Sequence, residues 1–325
     1  MKLVVFSICK DEALTIGELI DRIPKSIEGI DEIQTLIVSD GSVDATAEIA
    51  RSRGVIVIEG QSQKRLAYRF TQAIETCLEL GADLAVNIDG DLQFAPEDIP
   101  KIVKPVIEDG FDFVAADRFT DMDSGKSVRP ANMPVNKYLA NRVGTWIVSS
   151  LTRQRFRDVT CGFRAYNRAA MLALNINSTY TYTQESFQLL ALKQMDIKAV
   201  PVKVTYFPGR KSRVVTSFFG FMINSAVNIV RAYRDFAPLR FFGSLSILNF
   251  ILGLMCSGFV YAHWLRTQQL SPYKSLGFLG LFFMSMAVIF AITALLADMF
   301  DRILNNQEKI LERLKKQEYS EGNET

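Results

Sequence analysis

The sharpest chemical signal in the sequence is Asp89-Gly90-Asp91. Two carboxylates one residue apart, placed after the apolar run 84–88, can face a divalent cation and the phosphates it carries. Hard cations such as Mg²⁺ or Mn²⁺ take oxygen ligands and share them with substrate phosphates. Gln93 offers a further oxygen from its amide. A second polar turn, Ser39-Asp40-Gly41-Ser42, follows another apolar run. Gly41 permits a tight turn, Asp40 can hold a ribose hydroxyl or a base edge, and Asp44 or Thr46 can cap the next helix. A third cluster, Cys9-Lys10-Asp11-Glu12, closes the first apolar run. Residues 118–168 are strongly basic, with Arg118, Lys126, Arg129, Lys137, Arg142, Arg153, Arg155, Arg157, Arg164 and Arg168 against Asp121, Asp123 and Asp158. The plain reading is a solvated face; the functional one is a place for phosphate groups.

These groups need elements to position them. Residues 3–8, 35–38, 55–58, 84–88 and 113–116 read as strands, and 12–23, 44–53, 66–80 and 96–108 as helices, the last opened by Pro96. Such alternation predicts an α/β fold: a mostly parallel, Rossmann-like sheet covered by helices, with ligands beyond the carboxyl ends of its strands. The three polar clusters sit at those ends and are expected to share one crevice. No G-x-G-x-x-G follows the first strand, where Ser7-Ile8-Cys9-Lys10-Asp11 stands, so a dinucleotide-binding dehydrogenase is disfavoured. The four cysteines are isolated and His263 is the single histidine, which argues against a zinc site and a histidine triad.

The chain is 49% hydrophobic, and the excess is concentrated. Residues 241–265 and 275–297 contain no Asp, Glu, Lys or Arg. Each run exceeds the ~20 residues that span a bilayer core, so a membrane hairpin is expected. Residue 1 leads straight into a strand-like run, and no signal peptide is expected. Before the hairpin, residues 200–240 carry Lys203, Arg210, Lys211, Arg213, Arg231, Arg234 and Arg240 against Asp235 alone. Basic residues beside a span mark the cytoplasmic side and attract anionic headgroups. Nucleic-acid binding is the rival reading of such a patch; its position beside a span disfavours it. Residues 214–234 are amphipathic and suited to a membrane interface, and 298–317 read as a charged helix. The expected division is a catalytic domain over 1–213, interfacial helices over 214–236, a transmembrane hairpin over 237–300, and a cytoplasmic helix and tail over 301–325. This makes an integral protein of the cytoplasmic (inner) membrane with its catalytic domain in the cytoplasm.

Taken together, the stretches 4–12, 40–46, 89–93, 116–119 (Ala-Asp-Arg-Phe) and 158–166 (Asp-Val-Thr-Cys-Gly-Phe-Arg-Ala-Tyr) resemble family 2 glycosyltransferases, which have a GT-A fold. The nearer likeness is to polyisoprenyl-phosphate glycosyltransferases, the group of dolichol-phosphate mannose synthase and of bacterial enzymes acting on undecaprenyl phosphate. Pro238-Leu239-Arg240 before the first span is similar to the subgroup with two C-terminal helices. The resemblance implies inverting transfer of a sugar from a nucleotide-sugar (UDP- or GDP-linked) to a polyisoprenyl phosphate at the bilayer. It implies that Asp11, Glu12, Asp40, Asp89 and Asp91 serve the donor, with Asp89, Asp91 and Gln93 holding Mg²⁺ or Mn²⁺. It assigns the lipid phosphate to Arg118, Lys137 and one of Arg210 or Arg213, and a catalytic role to Asp158 beside Arg118. A homo-oligomer is left open. The family's usual Asp-Asp-Gly-Ser reads Ser39-Asp40-Gly41-Ser42 here, its Gly-Lys-Gly reads Gln63-Lys64-Arg65, and position 137 is Lys rather than Arg. Processive polysaccharide synthases of the same family carry Q-x-x-R-W, which this chain lacks. A non-enzymatic scaffold or flippase partner would not need Asp40, Asp89 and Asp91 at strand ends.

Overall fold

The computed structural model describes residues 1–176, 182–207, 234 and 237–321. The chain divides into two units, Met1–Lys211 with Leu311–Thr325, and Ser212–Ile310.

The first unit is built on a seven-stranded sheet of order β3-β2-β1-β4-β6-β5-β7. Its strands are β1 (Lys2–Cys9), β2 (Glu32–Ser39), β3 (Ile56–Glu59), β4 (Leu84–Asn87), β5 (Phe113–Asp117), β6 (Arg164–Asn167) and β7 (Ile197–Pro201). The β1–β2, β1–β4, β2–β3 and β5–β7 pairs are parallel; β6 alone runs antiparallel, between β4 and β5. The covering helices are α1 (Ile16–Arg22), α2 (Thr46–Ser52), α3 (Leu66–Glu79), α4 (Ile99–Glu108), α5 (Val135–Thr152), α6 (Arg168–Ala173) and α7 (Thr183–Leu192). Side chains alternate across a strand. Val4 and Phe6 therefore join a core with Phe70, Ile74 and Phe187 on one face of the sheet. Leu3 and Val5 join Ile16, Leu19, Ile102 and Val103 on the other.

The expected α/β sheet is present, and its differences from expectation have local causes. The helix expected from residue 12 begins only at Ile16, because residues 11–15 make bonds to neighbouring loops instead. Pro96 opens a 3-10 turn, and α4 proper starts at Ile99. Within the irregular basic region lie the eighteen-residue helix α5 and the antiparallel strand β6.

In the second unit, α8 (Pro238–Thr267) is thirty residues long, and the forty-eight-residue α9 (Lys274–Glu321) begins there. Both are long and apolar enough to cross a membrane. They meet at small residues: a Cβ on Gly253 would lie 2.8 Å from Met284 Cγ, and Ser246 Oγ donates to the Ala287 carbonyl at 2.8 Å. The helix does not break at residue 300 but runs on to Glu321, and its last stretch belongs to the first unit. There Lys315 Nζ donates to Leu174 O and Asn175 Oδ1, while Lys193 Nζ donates to Ala173 O and pairs with Glu312. These two ammonium groups satisfy carbonyls at the C-terminal end of α6.

Candidate active site

The parallel strands β1, β2 and β4 end side by side, with Cys9 opposite Ser39 and Phe6 opposite Asn87. The loops beyond them are sewn together. Asp11 Oδ1 accepts from Val43 N at 2.8 Å, and Asp11 N donates to Ser42 Oγ. Glu12 N donates to Thr46 Oγ1, Ala13 N to Asp44 Oδ2, and Thr15 Oγ1 to Gly90 O at 2.8 Å. The three loops expected from the sequence to share a crevice are thus bonded to one another. Asp11 reaches its bonds from a left-handed backbone, φ 52.

Asp40 is buried, and its Oδ1 accepts from Lys64 N at 2.8 Å and from Arg69 Nε at 2.9 Å. Arg69 also donates to Ser62 O and Gln72 Oε1, so it binds the loop 60–65 to the end of β2. Gly41 is required here: at φ 66, a Cβ would lie 2.8 Å from Gln63 N. Arg65 adopts φ 74 and ψ 157, a region that glycine occupies freely and other residues occupy at a cost of about 1–3 kcal/mol. It stands at the position where the family resemblance expects a glycine. Arg69 was not singled out in the sequence; its only signal is an arginine on the inner side of α3, beside Phe70 and Ala73.

Asp89 is half-buried and packs on the α-carbon of Gly162, where a Cβ would lie 2.5 Å from Asp89 Oδ1. Burial, then the neighbouring Asp91 charge, push its carboxyl up to about 6, against the pull of Arg118, Arg164 and Lys137. Asp91 Oδ1 accepts from Gln93 N, and Gln93 O accepts from Thr205 N. A carboxylate whose proton affinity is raised in this way by burial and a neighbouring carboxylate is relieved by a cation. Among the described residues no cluster of three or more His, Cys, Asp or Glu could hold a metal. Asp89 and Asp91 therefore fit a cation that completes its shell with substrate oxygens and water, as Mg²⁺ does.

Arg118 and Asp158 face each other across the next wall. Arg118 Nε and Nη2 donate to the two Asp158 oxygens at 2.6 and 2.9 Å, a bidentate pair with both side chains buried. Arg118 Nη2 donates further to Thr160 Oγ1, and Nη1 to Tyr206 Oη. Among the described residues four of the five guanidinium hydrogens are thus occupied, and one on Nη1 is left. Burial works to raise the Asp158 carboxyl, but Arg118 and Thr160 outweigh it and hold it below the usual carboxylate range. Lys137, on α5, donates its backbone N–H to Asn136 Oδ1, while its ammonium lies 5.0 Å from the centre of the Tyr206 ring and makes no hydrogen bond to the described residues. Burial and the Arg118 charge pull its pKa down, while Asp91 and Asp89 pull it up, so Lys137 is electrostatically coupled to the carboxylate pair and to Arg118.

The remaining cations of 118–168 divide by burial. Arg164 is fully buried and donates to Cys161 O, Val159 O, Thr183 O and Ser186 Oγ, fixing the loop that carries Asp158 and Gly162. It is a framework residue rather than part of a phosphate-facing surface. Arg168 likewise bonds Ala82 O and Tyr319 O. Asn87 donates to Gly162 O and to Tyr182 Oη, whose ring stacks on Phe70 at 3.8 Å. The structure brings together Asp11, Glu12, Asp40, Asp89, Asp91 and Gln93 on the β1–β2–β4 side, and Arg118, Lys137 and Asp158 beside them. Arg210, Arg213 and the amphipathic stretch up to residue 233 lie outside the described residues.

A mostly parallel sheet with one reversed strand, carrying acidic loops at its carboxyl edge, places the protein in the GT-A class of folds. Glucosyl-3-phosphoglycerate synthase from Mycobacterium tuberculosis, crystallised with Mn²⁺, uridine diphosphate and glucosyl-3-phosphoglycerate, shares this fold: TM-score 0.53, 15% identity, covering 71% of this chain and 78% of that one. The chain belongs to glycosyl transferase family 2, whose pattern matches residues 4–178. Glycosyltransferase AglJ of Haloferax volcanii is 27% identical over 94% of this chain and 95% of its own length. The UDP-N-acetylglucosamine–dolichyl-phosphate N-acetylglucosaminyltransferase of Methanococcus voltae is 26% identical over 63% of this chain and 88% of its own. The protein is thus a glycosyltransferase with relatives named for polyisoprenyl-phosphate substrates, and it carries two helices able to cross a membrane.

Proposed function

We propose that the protein transfers a sugar from a nucleotide-sugar to a polyisoprenyl phosphate at the cytoplasmic face of a membrane, inverting the anomeric carbon. The observation that carries this reading is the placement of the Asp89/Asp91 loop at the end of β4 beside Arg118 and Lys137, whose ammonium lies over the Tyr206 ring that Arg118 bonds and has no hydrogen-bond partner among the described residues. The acidic side suits a cation-bound nucleoside diphosphate; the basic side suits an anionic acceptor. Relatives named for dolichyl and undecaprenyl phosphates support the acceptor class.

An oxygen of the acceptor phosphate attacks the anomeric carbon, forming a C–O bond as the C–O bond to the nucleoside diphosphate breaks. The acceptor oxygen is already anionic, so no strong base is needed. Asp158 fits that account, since a carboxylate held below its usual range is a poor base; it orients Arg118 instead. Arg118 and Lys137 hold the acceptor phosphate and offset its repulsion from the donor. Asp40, anchored by Arg69, borders the nucleoside pocket, and Asp11 and Glu12 shape its floor. Asp89 and Asp91, with Gln93 beside them, would hold a Mg²⁺ or Mn²⁺ ion that neutralises charge on the leaving diphosphate.

The test is thermal-shift screening of UDP and GDP with and without Mn²⁺ or Mg²⁺, followed by transfer assays with the matching sugar nucleotides and a polyisoprenyl phosphate. Metal-dependent stabilisation is expected in the wild type. Asp91→Ala should lose it, with transfer falling about 10²–10³-fold. Equal activity in the variant would remove the carboxylate pair from the reaction.

A further inference from the structure

Strand β4 carries one residue that its apolar surroundings do not explain. Side chains alternate across a strand, so Ala85 and Asn87 face the layer that holds Phe70, Tyr166 and Phe187. Asn87 is 2% exposed there, paired with Phe6 on one neighbouring strand and Arg164 on the other. A buried amide costs free energy unless it is hydrogen-bonded, whereas an aliphatic side chain would fill the same space without that demand.

The partners of the amide indicate its role. Asn87 Nδ2 donates to Gly162 O at 2.8 Å and to Tyr182 Oη. A carbonyl only accepts, so Gly162 fixes which end of the amide faces it. Tyr182 is itself held in place: it is buried, and its ring lies 3.8 Å from that of Phe70 at an interplanar angle of 3°. Arg164, opposite Asn87 in the sheet, holds the carbonyls of Val159 and Cys161. The sheet thereby pins the carbonyls of Val159, Cys161 and Gly162 in the loop that follows Asp158. The Asp89 carboxylate lies against this loop, since a Cβ on Gly162 would be 2.5 Å from Asp89 Oδ1 and 2.9 Å from Oδ2. Asp89 rests on the residue whose carbonyl Asn87 holds. A shift of a few tenths of an ångström in Gly162 would therefore be passed to the carboxylate.

We propose that Asn87, braced by Tyr182, is a positioning residue: it fixes the Gly162 backbone on which the Asp89 carboxylate rests, and so keeps that carboxylate in place for a cation. The inference rests on the transfer reading, in which Asp89 and Asp91 share a divalent cation with the donor diphosphate. It adds to that reading a buried side chain whose hydrogen bonds go to Gly162 and Tyr182 and which acts through them. Groups that support a metal ligand in this way are worth about 10–100-fold in metal affinity.

The test uses the full-length protein in detergent. Mn²⁺ binding is followed by electron paramagnetic resonance in the presence of UDP or GDP, whichever the wild type binds, and metal-free nucleotide affinity by isothermal titration. Asn87→Leu keeps the side-chain size and suits the apolar face. It should weaken Mn²⁺ in the nucleotide complex about 10–100-fold and leave metal-free nucleotide affinity unchanged, because Asp40 and Arg69 are untouched. Gly162→Ala, which sets a methyl against Asp89, should show the same split. Tyr182→Phe keeps the ring stack and the Gly162 bond, and should weaken Mn²⁺ as selectively but by a smaller factor. Wild-type Mn²⁺ affinity in Asn87→Leu overturns the inference and leaves the transfer reading standing. An equal loss of metal-free nucleotide affinity overturns it too, since that is the mark of a general structural role. If Asn87→Leu does not fold, Tyr182→Phe decides, and unchanged Mn²⁺ affinity in that variant overturns the inference. A wild type that binds no Mn²⁺ with either nucleotide refutes the transfer reading and this inference together.

Discussion

The two sides of the candidate site are held together by different means. On the β1–β2–β4 side, acidic side chains bond chiefly to backbone N–H groups and hydroxyls of adjoining loops, as Asp11 does with Val43 and Asp44 with Ala13, the buried Asp40–Arg69 pair being the exception. On the β5–β6 side, charge meets charge in the interior: Arg118 grips Asp158, and Arg164 fills its donors with carbonyls. A loop sewn by many modest bonds tolerates the loss of one. A buried ion pair does not, because removing one partner strands the other without water. The acidic side should therefore fail in chemistry first, and the basic side in stability first.

The largest effect that would sharpen this contrast is Asp158→Asn. Stranding Arg118 should cost about 3–5 kcal/mol of stability, measured by chemical denaturation of the purified protein in detergent. The double variant with Arg118→Leu should recover part of that loss; no recovery would break the contrast. Asp158 has a folded pKa below its ordinary value, so its contribution is present above the ordinary carboxylate range and fades only as pH falls through the lower folded value. The stability gap between wild type and variant should accordingly stay constant across neutral pH.

The acidic side should instead show its pH dependence in binding. Asp89 is pushed up to about 6, so its protonated form accumulates as pH falls through that value. Cation-dependent nucleotide affinity should then drop by about tenfold per pH unit below 6, since one proton must leave for the metal to bind. Isothermal titration from pH 5 to 8 would read this; a flat profile would mean that another group governs the cation.

The smallest expected effect is at Tyr206, which joins the two cations by accepting from Arg118 and lying under Lys137. Tyr206→Phe removes the hydroxyl and keeps the ring, so it should weaken acceptor binding by about 0.5–1.5 kcal/mol. The acceptor KM should rise with the donor KM unchanged. A change in the donor KM would place Tyr206 on the wrong side of the comparison.

The same contrast explains what the sequence could disclose. Asp89-Gly90-Asp91, Asp40-Gly41 and the alternating runs up to residue 117 were legible because each signal is local: an apolar strand, then a polar turn. The two apolar helices were legible from length alone. Arg118 and Asp158 could be nominated only through a resemblance, and their pairing could not be read, because forty residues separate them. Arg69 and Tyr206 were missed, and Arg164 was read only as one cation of a basic run, for the same reason: their partners are carbonyls and side chains brought in by the fold. Helix α5 was not read as an element although Val135, Leu139, Val143 and Trp146 carry helical spacing, because the buried Val148 and the half-buried Tyr138 and Ile147 lie off that stripe and blur the periodicity.

The first unit is not a continuous piece of chain. Its residues up to 211 are joined by residues 311–321, where Lys315 donates to Leu174 O just past α6 and Tyr319 O accepts from Arg168 at its start. During synthesis those residues emerge about a hundred positions later, after both apolar helices. The catalytic unit can fold most of its sheet as it leaves the ribosome, yet its final stitch waits until the hairpin has been made. A chain whose hairpin is truncated carries a catalytic unit with the C-terminal carbonyls of α6 partly uncapped. Synthesis of the two apolar helices and completion of the catalytic unit are thereby ordered in time by the path of the chain alone.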